Sequence, residues 1–441
     1  MTQLGDGAPM QRPMPSMHLS IRYHLKNLVT GKLASASAWL FIGGITGGIL
    51  GYVFHVLMGR MLSTQEYGLF SAVMALFAVV AAPIITLMMV VSRKVSEYCA
   101  KEDRGSMAHL YHSMNVHSAI AGVATLGVCY FFVPQIQAYL RAPTPSSVLL
   151  LGVILFCIFP AAINHAFLQG LQKFVWLAVS GPLGVLLKIG FAVLLIWLGY
   201  GVLGALGGII LAALAGWAIT YVALHRPLAG GRGAAFETVH ISFRSALPVM
   251  VANIAFAAMT QLDMVFVNYY FSAHEAGLYA AASILGKAVM YLPGGIAAAL
   301  FSMVAERHAR QEGSAHLLLQ AVGMTALLCG AGAIFYFFLG ERIVALLYGD
   351  GYQGAGELLK YYGLAALPMA MVMVAEYFLI AKGRVLFAYL FAALMPFQLG
   401  AIYFYHDSML MIITIIGVSG LMLMFLGYGL LWRAFRNADS I

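Results

Sequence analysis

Twelve apolar runs, each long enough to cross a hydrocarbon core, follow one another along this 441-residue chain. They lie at 36–58, 69–92, 113–133, 148–170, 176–198, 202–225, 245–271, 277–303, 317–339, 357–381, 384–404 and 409–432. A helical crossing takes about 20 predominantly apolar residues, and within lipid every backbone polar group must be bonded inside the segment. Runs of this length and number predict an all-α polytopic membrane protein. Only 9% of the residues are charged, against about 25% in soluble domains, and no segment between runs is large enough for a folded catalytic domain. That counts against membrane glycosyltransferases, ligases and polymerases, which hold their reacting groups in such a domain. ATP hydrolysis is not expected either. The nearest approach to a phosphate-binding loop, Gly286-Lys287, lacks the upstream glycine and the following hydroxyl residue. The four cysteines, Cys99, Cys129, Cys157 and Cys329, have no paired spacing and read as free thiols. No Cys/His cluster has metal-ligand spacing, so neither an enzyme nor a resident cofactor is expected.

The runs fall into two sets of six. Ser63-Thr64-Gln65-Glu66-Tyr67-Gly68-Leu69-Phe70 returns 209 positions later as Ser272-Ala273-His274-Glu275-Ala276-Gly277-Leu278-Tyr279. A second echo follows in the same order: Phe167-Leu168-x-Gly170-x-x-Lys173 and Phe378-Leu379-x-Ala381-x-x-Arg384. An even number of spans between copies gives both halves one orientation, hence a parallel repeat with its pseudo-axis along the membrane normal. The expected plan is twelve transmembrane helices, six in each half, with a site between the halves. Residues 1–35 form a leading tail, 36–226 the first bundle, 227–242 a linker and 243–441 the second bundle. Residues 1–19 read as disordered, and the leader is too polar and long for a cleaved signal peptide. Within it, Ile21, Leu25, Leu28, Val29 and Leu33 share a helical face opposite Arg22, Lys26 and Lys32, as in an interfacial helix or an extension of the first span.

Basic residues set the orientation. With the N-terminus in the cytoplasm, eighteen lysines and arginines fall on inside segments, and only Arg60, Arg141 and Arg342 on outside ones. The net charge of +8 then reports topology and contact with anionic membrane lipids, with no call for nucleic acid.

Four ionisable residues stand well inside spans: Lys188, Asp263, Lys287 and Glu376. Each costs at least about 2.5–3.5 kcal/mol at the bilayer centre and needs a wet cavity or a partner. Lys188 has no acid at matching depth in its half and reads as a cavity-facing cation. Asp263, near Asn253 and Gln261 in its own span, pairs with Lys287 or couples transport to a proton or sodium ion. Glu376 reads as an ion pair with Lys382 or Arg384, or as a second coupling carboxylate. Arg60 borders the first repeat element and is the span-end cation nearest the expected cleft. Mid-membrane lysines point to an anionic cargo. Gly43, Gly44, Gly47, Gly48 and Gly51 give span 1 small-residue faces, for tight packing or for sliding between halves. His55, His165 and His274 read as polar packing residues.

The stretch Gly59-Arg60-Met61-Leu62-Ser63-Thr64-Gln65-Glu66-Tyr67-Gly68-Leu69-Phe70 resembles the start of Wzx-type polysaccharide transporters of the multidrug/oligosaccharidyl-lipid/polysaccharide (MOP) superfamily. Leu262-Asp263-Met264 leading to Glu275-Ala276-Gly277-Leu278-Tyr279, Phe167-Leu168-Gln169-Gly170, and Leu346-Leu347-Tyr348-Gly349 with Tyr352 are similar in turn. The resemblance implies two parallel-repeat six-helix bundles around a central cavity, working by alternating access. It also implies movement of an undecaprenyl-diphosphate-linked oligosaccharide across the bacterial inner membrane, alongside other polysaccharide assembly proteins. Within it, Arg60, Lys188, Lys287, Asn253 and Gln261 are the candidate substrate-binding residues, and Asp263 and Glu376 the candidates for coupling or charge pairing. A cation-coupled multidrug exporter and a non-transporting scaffold of a polysaccharide synthase complex remain the alternatives.

Overall fold

The computed structural model of the protein describes residues 32–228, 246–309 and 312–438. Most of the expected leader and linker, including the amphipathic stretch at 21–31, lies outside the described residues. Helix α1 spans Lys32–Met61, α2 Thr64–Ala100, α3 Arg104–Phe131, the short α4 Val133–Leu140, α5 Ser146–Gly170, α6 Phe174–Leu195 and α7 Gly201–Leu228. After the linker come α8 Leu247–Tyr270, α9 Ala273–Tyr291, α10 Gly294–Ala309, α11 Ala315–Tyr348, α12 Ala355–Ala381, α13 Leu386–Phe404 and α14 Met409–Ala438. No strand occurs among the described residues.

Among the described residues, eleven helical segments are long and apolar enough to cross a membrane, and one of them runs 52 residues from Phe174 to His225. A straight helix of that length would be about 78 Å, more than twice the ~30 Å hydrocarbon core. It is bent back on itself where Gly199 and Gly201 take φ of 91° and 50°, conformations open to glycine and strained for other residues. The π-type turn over Ile196–Tyr200 thus joins two packed helices, α6 and α7. Among the described residues, the helices long and apolar enough to cross then number twelve.

Each half repeats one packing scheme. In the first, α5 packs on α2, α3 and α7, α7 packs on α6, and α6 on α1; in the second, α12 packs on α9, α11 and α14, α14 on α13, and α13 on α8. These are the same pairings of the first to sixth crossings in each bundle. The duplicated motif repeats in detail as well. Ser63 and Ser272 cap α2 and α9 with matching backbone angles (φ −63°, ψ 156° and φ −64°, ψ 156°). Both caps are reciprocal: the Glu66 and Glu275 amides donate to the serine hydroxyls at 3.2 and 3.3 Å, and each glutamate accepts from the cap amide at 3.0 and 2.9 Å. Orphan N–H groups at the two helix starts are satisfied in this way.

The two capped starts cross at the interface between halves. A Cβ on Gly68 would lie 2.8 Å from the Gly277 nitrogen, and one on Gly277 would overlap the Thr64 carbonyl, so only glycine admits this approach. Two further clasps flank the crossing. In one, the Arg60 guanidinium donates to the Leu346 and Leu347 carbonyls, Thr64 Oγ1 donates to Gly351 O at 3.2 Å, and Tyr352 OH donates to Gly59 O at 2.8 Å. In the other, Arg141 donates to Phe271 O at 2.7 Å, Asn268 donates to Leu140 O, and Tyr139 stacks on Tyr269 at 4.7 Å. Each clasp takes the loop after the third crossing of one half and ties it to the end of the first crossing of the other. We call this the motif face, and the opposite side, rich in lysine and arginine, the basic face.

The halves do not meet evenly below the motif face. Helix α2 packs along both α8 and α9, whereas the symmetry counterpart of the α2–α8 contact, α9 against α1, is slight. The difference has a local correlate: α2 runs unbroken past Pro83, but its counterpart breaks into α9 and α10 at Leu292-Pro293. Proline removes a backbone donor and crowds the preceding turn, and at Pro293 the adjoining Gly294 and Gly295 give no propensity to resist the break.

Candidate functional site

Between the halves lies a cavity of about 330 Å³, walled by α1, α2 and α6 on one side and by α8 and α9 on the other. Its polar groups come from Tyr52, His55, Ser71 and Lys188 of the first half and from Gln261, Lys287 and Tyr291 of the second. Among the described residues, no aspartate or glutamate is on its lining. Gly48 and Gly51 leave the α1 wall bare, with nothing within 4 Å of where a Cβ would stand, so the small-residue stripe here makes room rather than a packed contact.

The two lysines are held differently. Lys287 Nζ donates to Gln261 Oε1 and to Asp263 Oδ1, both at 3.3 Å. Asp263 has no exposed surface, and its second oxygen accepts from Tyr279 OH at 2.9 Å and Tyr362 OH at 2.7 Å. The carboxylate is thereby fully engaged, while the ammonium, held at longer distance than usual charge-assisted bonds, borders the cavity. Lys188 has no ion pair among the described residues; its Nζ stands 4.0 Å above the centre of the Phe54 ring. Phe54 and Asp263 are 209 positions apart, as are Phe70 and Tyr279. At matching places in the repeat, one half offers its lysine an aromatic face and the other a carboxylate.

The expected site residues therefore separate. Lys188, Lys287 and Gln261 come together at the cavity, with Asp263 behind Lys287. Arg60 does not; its guanidinium is spent on the Leu346 and Leu347 carbonyls at the motif face. Asn253 is also elsewhere. Its amide donates to Thr86 Oγ1 at 3.1 Å, joining α8 to α2, because α8 packs along α2 and turns that face away from the cavity. The ion pair expected of Glu376 with Lys382 or Arg384 is not formed among the described residues. Glu376 instead borders a separate 50 Å³ pocket together with Asn253 and Arg384.

Sequence reasoning read His55, which lines the cavity, as a polar packing residue, and it passed over Tyr279 and Tyr362 as donors to Asp263. A signal existed for the histidine: Gly48, Gly51, Tyr52 and His55 follow i, i+3, i+4, i+7 spacing and share one helical face.

Residues 33–308, or 276 of the 441, match the family described as Polysaccharide biosynthesis protein. No curated protein sequence matches the chain. Several solved structures share its fold. An inward-facing multidrug resistance MATE family transporter of the MOP superfamily superposes with a TM-score of 0.71 at 15% identity, covering 92% of this chain and 98% of that one. The lipid II flippase MurJ, in an inward closed conformation, gives 0.68 at 15% identity over 88% and 87%. A MOP superfamily transporter from Pyrococcus furiosus, described as having a binding pocket of reverse polarity, gives 0.67 at 17% identity over 93% and 97%. With a match over more than half its length, the chain belongs to the polysaccharide biosynthesis protein family, built on the fold of the MOP superfamily transporters.

Proposed function

We propose that this protein is a flippase that moves an undecaprenyl-diphosphate-linked oligosaccharide from the cytoplasmic to the outer face of the bacterial inner membrane. It works by alternating access, without ATP hydrolysis, and alongside other polysaccharide assembly proteins. The observation that carries the reading is the cavity between the halves, with two lysines and no acid on its lining. An unpaired ammonium at this depth is costly to keep, and an anionic cargo accounts for it. The eighteen-to-three bias of basic residues supports an orientation with both termini in the cytoplasm and the motif face outside. An exporter of cationic drugs would need a carboxylate that a cation can reach. Asp263 is sealed by three donors, which leaves Glu376 as the candidate for a coupling proton or sodium ion.

Lys188 is the residue to test, because among the described residues it has no charged partner to orphan. In cells relying on this protein for surface polysaccharide, Lys188→Ala is expected to lower export about tenfold or more at unchanged protein level. Lys188→Arg should retain more, since it keeps the charge. Lys188→Met should be at least as stable as the parent in detergent, because it removes an unpaired charge. Export that is unchanged in Lys188→Ala, or enhanced efflux of a cationic dye, would overturn the anionic-cargo reading.

A further inference from the structure

His55 has an unusual position for a packing residue. Its ring borders the cavity that holds Lys188 and Lys287, it stands edge-on to Phe54 at 5.6 Å and tilted to Phe70 at 6.0 Å, and Nδ1 is buried without any hydrogen-bond partner. Among the described residues no protein group bonds to either ring nitrogen. An imidazole always carries at least one N–H, and such a donor left unpaired in a dry site loses about 1–3 kcal/mol. Phe54 and Phe70 have no acceptor, the two ammonium groups are donors only, and among the described residues none of the other polar groups on the lining, Tyr52, Ser71, Gln261 and Tyr291, is bonded to the ring. An acceptor with several lone pairs, located in the cavity itself, would complete the hydrogen bonding of the ring.

We propose that His55 is a third ligand of an anion site, donating an imidazole N–H to a phosphate oxygen that Lys188 and Lys287 also hold. This rests on the proposed function and deepens it. The recognised group is phosphate-type, rich in lone pairs and bound from both halves at once: His55 and Lys188 belong to the first bundle and Lys287 to the second. A half-turn of the ring about its Cβ–Cγ bond exchanges Nδ1 and Cδ2 in nearly the same space, so the donor can be directed to the ligand without moving α1. The same chemistry could be met by a free diphosphate ion or by a diphosphate on a lipid.

The full-length protein, purified in detergent, distinguishes these sources in titrations with farnesyl diphosphate, farnesol and inorganic diphosphate. His55→Phe keeps the ring and removes the donor, whereas His55→Asn places an amide nitrogen close to the position of Nδ1. The expected result is a loss of about 10- to 150-fold in farnesyl diphosphate affinity for His55→Phe, the span of one hydrogen bond to a charged group. Farnesol binding should stay unchanged, and His55→Asn should recover most of the loss. Should His55→Phe fail to fold, His55→Asn and His55→Gln carry the comparison, and a loss larger in Gln than in Asn supports donation from the Nδ1 position. Farnesyl diphosphate bound equally well by the parent and by His55→Phe overturns the proposal and leaves the lipid-linked cargo standing. So does a loss shared equally by farnesol, which marks a packing role. If inorganic diphosphate binds as tightly as the farnesyl ester, with the same dependence on His55, the anion site holds and the lipid-linked cargo falls.

Discussion

Asp263 is buried without exposed surface and holds three donors, two tyrosine hydroxyls and the Lys287 ammonium. Removing one partner of a buried pair typically costs about 3–5 kcal/mol, because the charge left behind has neither water nor counterion. Asp263→Asn is therefore expected to lower the unfolding midpoint in detergent sharply, and Lys287→Met in the double variant should restore most of it. A stable Asp263→Asn protein that no longer transports would instead make Asp263 a coupling group. The pair itself was legible in the sequence, since a base and an acid at similar depth in neighbouring spans have few other ways to be tolerated. Its tyrosine donors were not. Tyr362 is 99 residues from Asp263, and neither periodicity nor propensity says which helix of a bundle will turn a hydroxyl inward. Arg60 was misplaced for a related reason: its position at a span end is compatible with cleft, lipid head group or loop, and only the fold of residues 346–352 brings acceptors to it.

Among the elements, the starts of α2 and α9 show how a short motif can encode both a local and a long-range structure. The Ser-x-x-Glu spacing announces a helix start by itself, and both caps form as that spacing requires. The glycine two positions after each glutamate has no local task; it lets the two starts cross. Gly277→Ala should therefore wedge the crossing apart and shift the protein away from the closed motif face. In a cysteine-free background carrying Ser71→Cys at the cavity wall, labelling by a membrane-impermeant thiol reagent from the motif side should rise several-fold when Gly277→Ala is added. Unchanged labelling would mean that the crossing yields without opening. Prolines were less readable than glycines. Pro83 and Pro293 occupy nearly matching places in the repeat, yet only the second breaks its helix, since α2 is held along α8 while α9 has little of α1 against it.

For the whole molecule, the number of crossings and their grouping by six were set by hydropathy and by the repeat. The unequal seam between halves was invisible there, because two copies of one pattern predict equal contacts. If the motif face opens and closes during transport, fixing one clasp should stop the cycle. The ideal Cβ position at Gly351 lies 3.6 Å from Thr64 Oγ1, close enough for a disulfide between cysteines at these places. Thr64→Cys/Gly351→Cys, in a background without native cysteines, should lose more than about tenfold of its transport on oxidation and regain it with reductant. Transport that survives oxidation would remove the clasp from the moving parts. The internal pairing of Asp263 with Lys287 has one more consequence, for energy supply. It cancels those two charges and leaves Lys188 as the net fixed charge of the cavity. The empty carrier then presents a positive site, and the proposed diphosphate cargo, with both phosphates ionised, would make the loaded one negative. An inside-negative voltage drives the negative form outward and the positive form back, each by up to about 2.3 kcal/mol per 100 mV. Turnover in vesicles should accordingly be electrogenic and accelerate as the voltage is imposed with no ion gradient present, and Lys188→Met should lose the voltage assistance of the empty return.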